Sequence, residues 1–163
     1  LITKVEGTLY RVHDFLFTTN SSFWLEKLSL PREESTVLDL DVTKADMDAL
    51  LAVLYNRNFQ GHELTTYTEW ESVLRLSTLW NFDSIRALAI DNIEPLASPL
   101  QKLVLGRSFD VPQWVQPALV SICMRKDPLT LAEGNLLSMA DVIAIAAARE
   151  AVRQASLASP KEE

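Results

Sequence analysis

Val5–Phe17 reads VEGTLYRVHDFLF, and its hydrophobic period changes in the middle. Before the change, Leu9 and Arg11 alternate with Tyr10 and Val12, the two-residue period of a strand. Glu6-Gly7 ahead of them supplies a tight turn, because glycine tolerates the positive φ that two-residue hairpins require. Lys4 to Val12 is therefore expected to be a strand pair, and the residues after His13 to open a helix. His13 stands alone at the junction, so it either does chemistry or joins two pieces of scaffold.

A further strand is expected at Val37–Asp41, where Leu38 and Leu40 share one face and Val37, Asp39 and Asp41 the other. The remainder reads as helix. Thr43/Asp46, Thr68/Glu71, Ser98/Gln101, Thr130/Glu133 and Ser138/Asp141 all have capping-box spacing, and Pro99 suits a first helical position. Helical apolar spacing follows most of them: Met47, Leu50, Leu51 and Leu54; Trp70, Val73, Leu74 and Ser77; Leu100, Leu103 and Val104. Two more helices are expected around Ile85–Asn92 and Val115–Cys123, and the alanine-rich segment from Ala140 to Ala158 is expected to be one longer helix.

Prolines interrupt this pattern at Glu94–Pro99 and at Lys126–Pro128. The first interruption divides an α+β core with a small sheet and a helical stack, residues 1–95, from an all-helical extension, residues 96–158. A polar tail, residues 159–163, closes the chain.

With 163 residues, 48% of them hydrophobic, the chain can bury a substantial core, which places it among folded rather than disordered proteins. Its 22 acidic and 15 basic residues give a net charge of −7. The bases are scattered, which argues against nucleic acid and against an anionic membrane surface, since both recruit clustered Lys and Arg. No apolar run approaches the roughly 20 residues that span a bilayer. A single cysteine, Cys123, allows no internal disulfide and points to an intracellular setting, cytoplasmic or nuclear. Because the chain starts at Leu1 and not at a methionine, a preceding segment is left open.

The inventory for catalysis is thin. His13, His62 and Cys123 lack the four-ligand spacing of a structural zinc site, so neither metal nor other cofactor is expected. Cys123 falls on the apolar stripe of its helix, the setting of an inert thiol. Asp39 and Asp41 share a strand face as paired carboxylates do, but no partner motif accompanies them and a solvated face accounts for both. The four glycines form no phosphate-cradling loop. Trp70 and Trp114 lie on amphipathic stripes and read as core, whereas Trp24 and Trp80 fit either a core or a partner surface.

Four stretches carry a family resemblance by their order: VEGTLYRVHDFLF, NSSFWLEKL, VLDLDVTKADMDALLAVLY and EWESVLRLSTLWNFDSIRALAIDNI. The chain from Val5 to Asn92 resembles a BTB/POZ domain. That family's pattern is a strand pair ending in an H-x-x-x-L-type helix start, a serine followed by a phenylalanine, and a strand leading into a helix that ends in a Leu/Ile-Tyr pair. His13, Leu16, Ser22, Phe23, Leu40, Val42, Leu50 and Tyr55 stand at its signature positions. LVLGRSFDVPQWVQPALVSICMRKDPLTLAEGNLLSMADVIAIAAARE resembles the helical extension of BTB proteins in mushroom-forming fungi, which is similar in placement to the BACK helices of other BTB proteins.

The resemblance implies a non-enzymatic protein-interaction module in which His13, Ser22 and Phe23 form a structural junction. Many BTB proteins are substrate adaptors on a cullin scaffold of a ubiquitin ligase. By the resemblance Tyr55 stands at the docking face, and Leu30, Glu33 and Glu34 of SLPREES supply the counterpart of the family's hydrophobic-x-Glu motif. Two departures bear on partners. The helix that usually opens the family's domain and builds its homodimer has no counterpart ahead of the first strand, and Asp14 follows the histidine where a base is common. The alternatives are a self-associating scaffold or transcriptional regulator and, from another class, a small-molecule-binding or enzymatic helical domain with a pocket at the junction of core and extension.

Overall fold

Glu6 and Gly7 both adopt positive φ, +45° and +80°, which makes the turn between the first two strands one whose twist matches a hairpin. The hairpin consists of β1 (Ile2–Val5) and β2 (Thr8–Arg11), paired antiparallel with Val5 opposite Thr8 and Ile2 opposite Arg11. The computed structural model describes residues 1–29, 36–56, 61 and 63–158. It divides them into two units, Leu1–Leu96 and one that begins at Ala97. The architecture is α+β, with three strands and nine helices among the described residues.

In the first unit the hairpin is followed by α1 (Asp14–Asn20), α2 (Ser22–Ser29) and β3 (Val37–Asp39). β3 pairs in parallel with β1, giving the mixed sheet order β2-β1-β3. Its strands are short: the first begins at Ile2, earlier than the alternation indicates, and the third stops at Asp39. Leu40 is buried while Val37, Asp39 and Asp41 are exposed, so the expected two faces are present.

α3 (Lys44–Leu54), α4 (Tyr67–Leu79) and α5 (Asp83–Ile93) pack in succession. Thr43 caps α3 by accepting from the Asp46 N–H at 3.1 Å. The Asp46 side chain does not reach back as a capping box requires. It is buried and takes both its hydrogen bonds from Arg75 of α4, at 2.8 and 3.0 Å. α4 corrects another expectation, because Thr66 and not Thr68 is its cap: Thr66 Oγ1 accepts from the Glu69 N–H, and Glu69 accepts from the Thr66 N–H. TTYTEWE contains both boxes in overlap. Starting at the first leaves Glu71 to meet Arg75 one turn on, at 3.3 Å.

Trp24 and Trp80, whose sequence positions decide nothing, are both core residues here, 0% and 4% exposed. Trp24 meets Phe17, Phe23 and Trp80 edge-on. Neither indole is available to a partner surface.

The second unit comprises α6 (Pro99–Ser108), α7 (Pro112–Met124), the single turn α8 (Leu131–Gly134) and α9 (Met139–Ala158). Ser98/Gln101 and Thr130/Glu133 form complete capping boxes, and the Ser138 hydroxyl accepts from the Asp141 N–H. Gly106 lets α6 lie close on α7, since a Cβ there would stand 3.0 Å from Val115 Cγ2 and 3.1 Å from the Val111 carbonyl. Leu103, Ala118, Ile122 and Ile145 form the core, with the half-buried Cys123 packed against it.

Two ion pairs yield stability predictions. Arg75→Met leaves the Asp46 carboxylate buried without its donor, so urea unfolding should show a loss of about 1–3 kcal/mol. Arg125 binds both carboxylate oxygens of Glu133 at 2.7 Å, and that contact, with the Thr130 N–H, holds the Glu133 pKa down to about 2 from its ordinary 4.5. A lowered carboxylate pKa stabilises the fold fully above the unfolded value, and the contribution is lost as pH falls from there through the folded value. Between pH 4.5 and 2, the melting temperature of wild type should therefore fall more than that of Glu133→Gln.

Candidate functional site

Val12 ends the hairpin with its N–H bonded to the Leu1 carbonyl, and His13 follows in extended conformation as the residue before α1. Its imidazole makes no cap bond to the helix. Instead the ring and the backbone of His13 both turn to Tyr55, the residue that ends α3. The His13 N–H donates to Tyr55 Oη at 2.8 Å, and His13 Nδ1 lies 3.0 Å from the same oxygen. With the ring proton on Nε2, the hydroxyl accepts from the backbone and donates to Nδ1, so one oxygen satisfies both groups. The rings stand 5.8 Å apart, tilted by 45°.

This arrangement joins the end of the hairpin to the end of α3. A surface formed by the end of α3 and the start of α1 is held in one geometry, with His13 exposed and Tyr55 half-buried. α3 is also tied to the hairpin by Tyr10, whose hydroxyl donates to Asp48 at 2.7 Å. Burial, then that bond to a carboxylate, pushes the Tyr10 phenol up to about 12.

The other sequence-selected residues divide. Leu40 and Leu50 are buried, while Leu16, Val42 and Phe23 are half-buried. Phe23 carries Lys27 above its ring at 5.2 Å. Ser22 is exposed, and the serine at the junction is its neighbour: Ser21, 2% exposed, accepts from the Trp24 N–H at 3.0 Å and donates to the Trp80 carbonyl. Asn20-Ser21-Ser22 offers two serines, and only the three-residue spacing from Ser21 to the inward Trp24 distinguishes the first. Likewise Phe17, fully buried, and not Leu16, is the inward anchor of α1. Leu30, Glu33 and Glu34, and also His62, lie outside the described residues.

No group of three or more His, Cys, Asp or Glu among the described residues is placed to hold a metal ion. No helix among them is long and apolar enough to cross a membrane. Compared with protein-family models and with curated proteins, the chain matches none.

Tyr55→Phe keeps the ring and removes the shared oxygen. It should lower stability by about 0.5–1.5 kcal/mol, the net worth of such a bond. His13→Ala, which retains the backbone bond, should cost less; thermal or urea melts of the two variants make the comparison.

Proposed function

We propose that residues 1–95 form a BTB/POZ-type protein-interaction module and that the protein acts without catalysis, as an adaptor docking on a cullin-type scaffold of a ubiquitin ligase in the cytoplasm or nucleus. The observation that carries this reading is the bond between His13 and Tyr55. Two positions 42 residues apart, both of which the resemblance places at signature positions, meet at a single surface. The order of elements supports it too: strand pair, two short helices, a strand returning parallel to the first, and three helices. Residues 96–158 then take the part of the BACK-like extension.

Self-association is the second reading, and a specific observation favours it. Phe15 of α1 and Leu25 of α2 are 69% and 58% exposed, an outlay of apolar surface that a solitary domain tends to cover.

Calorimetric titration with the N-terminal domain of a fungal cullin tests the adaptor reading, using wild type, Tyr55→Ala and Tyr55→Phe. Submicromolar binding is expected, with a loss of about 1.4 kcal/mol or more, tenfold, in Tyr55→Ala. Because Tyr55 also positions α1, Tyr55→Phe separates ring contact from junction: retained affinity assigns the effect to the ring. No binding by the folded wild-type chain overturns the reading.

A further inference from the structure

A groove of about 710 Å³ opens at the other end of α3, between the segment that links β3 to α3 and the last turns of α4. Leu40, Val42, Leu76 and Leu79 line it, and of these Val42 and Leu79 reach the surface. Leu79, the last residue of α4, is 56% exposed, whereas Leu74 and Leu76 of the same helix are fully buried. Carboxylates rim it. Glu6, Asp39, Asp41 and Asp46 line the groove against one cation, Arg75.

Most of these charges are already engaged. Asp46 is held by Arg75, Asp39 by Lys4 at 3.2 Å, and one oxygen of Glu6 by the Lys44 N–H at 2.8 Å. Asp41 is exposed and has no hydrogen bond or ion pair among the described residues. One unpartnered carboxylate therefore stands in the same groove as the exposed Leu79, and the size suits a short peptide segment, since ligand clefts run to about 300–1,000 Å³.

We propose that this groove docks a short segment of a partner protein in which a leucine-like side chain stands next to a lysine or arginine. The apolar side chain lies on Val42 and Leu79, and the cation reaches Asp41. The choice of occupant follows from charge complementarity, because an acidic rim repels acidic segments and a purely apolar one would leave Asp41 without a partner. The site is independent of the cullin reading. α3 is eleven residues long, so its two ends stand about 16 Å apart.

Fluorescence anisotropy with labelled synthetic peptides tests it on the whole chain. The probes are Gly-Leu-Lys-Leu-Lys-Gly, the same peptide with glutamate for lysine, and one with serine for leucine. The first should bind, weakened about threefold by Asp41→Asn, the scale of one exposed charge pair. Leu79→Ser should weaken it about tenfold through lost apolar contact. Asp91→Asn, on the exposed side of α5, should leave binding unchanged. Both groove substitutions fall on exposed side chains, and circular dichroism checks that each variant is folded. Equal binding of the glutamate or serine peptide, equal effects of Asp41→Asn and Asp91→Asn, or no binding of the first peptide overturns the proposal. None of these outcomes touches cullin docking.

Discussion

Trp24 is enclosed edge-on by three rings, with centroids at 5.3 Å for Phe17, 5.5 Å for Phe23 and 5.2 Å for Trp80. Phe82 extends the cluster through Phe17 at 5.8 Å. Each such contact adds about 0.5–1.5 kcal/mol beyond burial. That gain offsets a cost, since the indole N–H of Trp24 is buried with no hydrogen-bond partner among the described residues. The Ser21 hydroxyl adds direction to the cluster by accepting from the Trp24 backbone N–H and donating to the Trp80 carbonyl. The end of α4 is thereby fixed against the start of α2, and the chain turns into α5 through Asn81 in left-handed conformation. The junction at His13 leans on this arrangement, because His13 directly precedes α1 and Phe17 seats that helix in the cluster.

The second unit has a smaller core and relies more on satisfying helix ends. Arg149 of α9 donates to the carbonyls of Ile122, Arg125 and Lys126 at 2.8–3.1 Å, where α7 finishes. The last carbonyls of a helix have no partners of their own and carry the negative end of its dipole, so a guanidinium there meets both needs. Arg125 braces the same corner through the carbonyls of Asp127 and Pro128 as well as Glu133. The proline interruption at Lys126–Pro128 is accordingly a structured corner.

Local chemistry was legible in the sequence where it decides the outcome alone. Gly7 and its left-handed turn, Pro99 after Ser98, and Thr130 with Glu133 are such cases, because each involves groups within three or four residues. Where two local solutions compete, tertiary packing chooses. Thr66 prevails over Thr68 because Glu71 is needed beside Arg75, and Ser21 prevails over Ser22 because Trp80 lies 59 residues away with a carbonyl to satisfy. Asp46 shows the same limit: its spacing from Thr43 reads as half of a capping box, yet a partner 29 residues on claims its carboxylate. The His13–Tyr55 bond was not legible: the resemblance selects both residues without pairing them. Nothing in the period or composition around either residue points to the other.

α3 is held along its length by polar contacts that differ in kind. At its start the Glu6 carboxylate accepts from the Lys44 N–H, which places negative charge at the positive end of the helix dipole. One turn on, Asp46 binds Arg75 and Asp48 receives Tyr10; at its end Tyr55 holds His13. Met47, Ala49 and Leu50 are buried on the same face as Asp46. A helix tethered at both ends and in the middle offers its exposed residues in one arrangement, and a partner need not supply the free energy of ordering them. Association then loses less to side-chain and backbone freedom than it would on a loop. This is the physical sense in which α3 suits the docking role proposed for the chain.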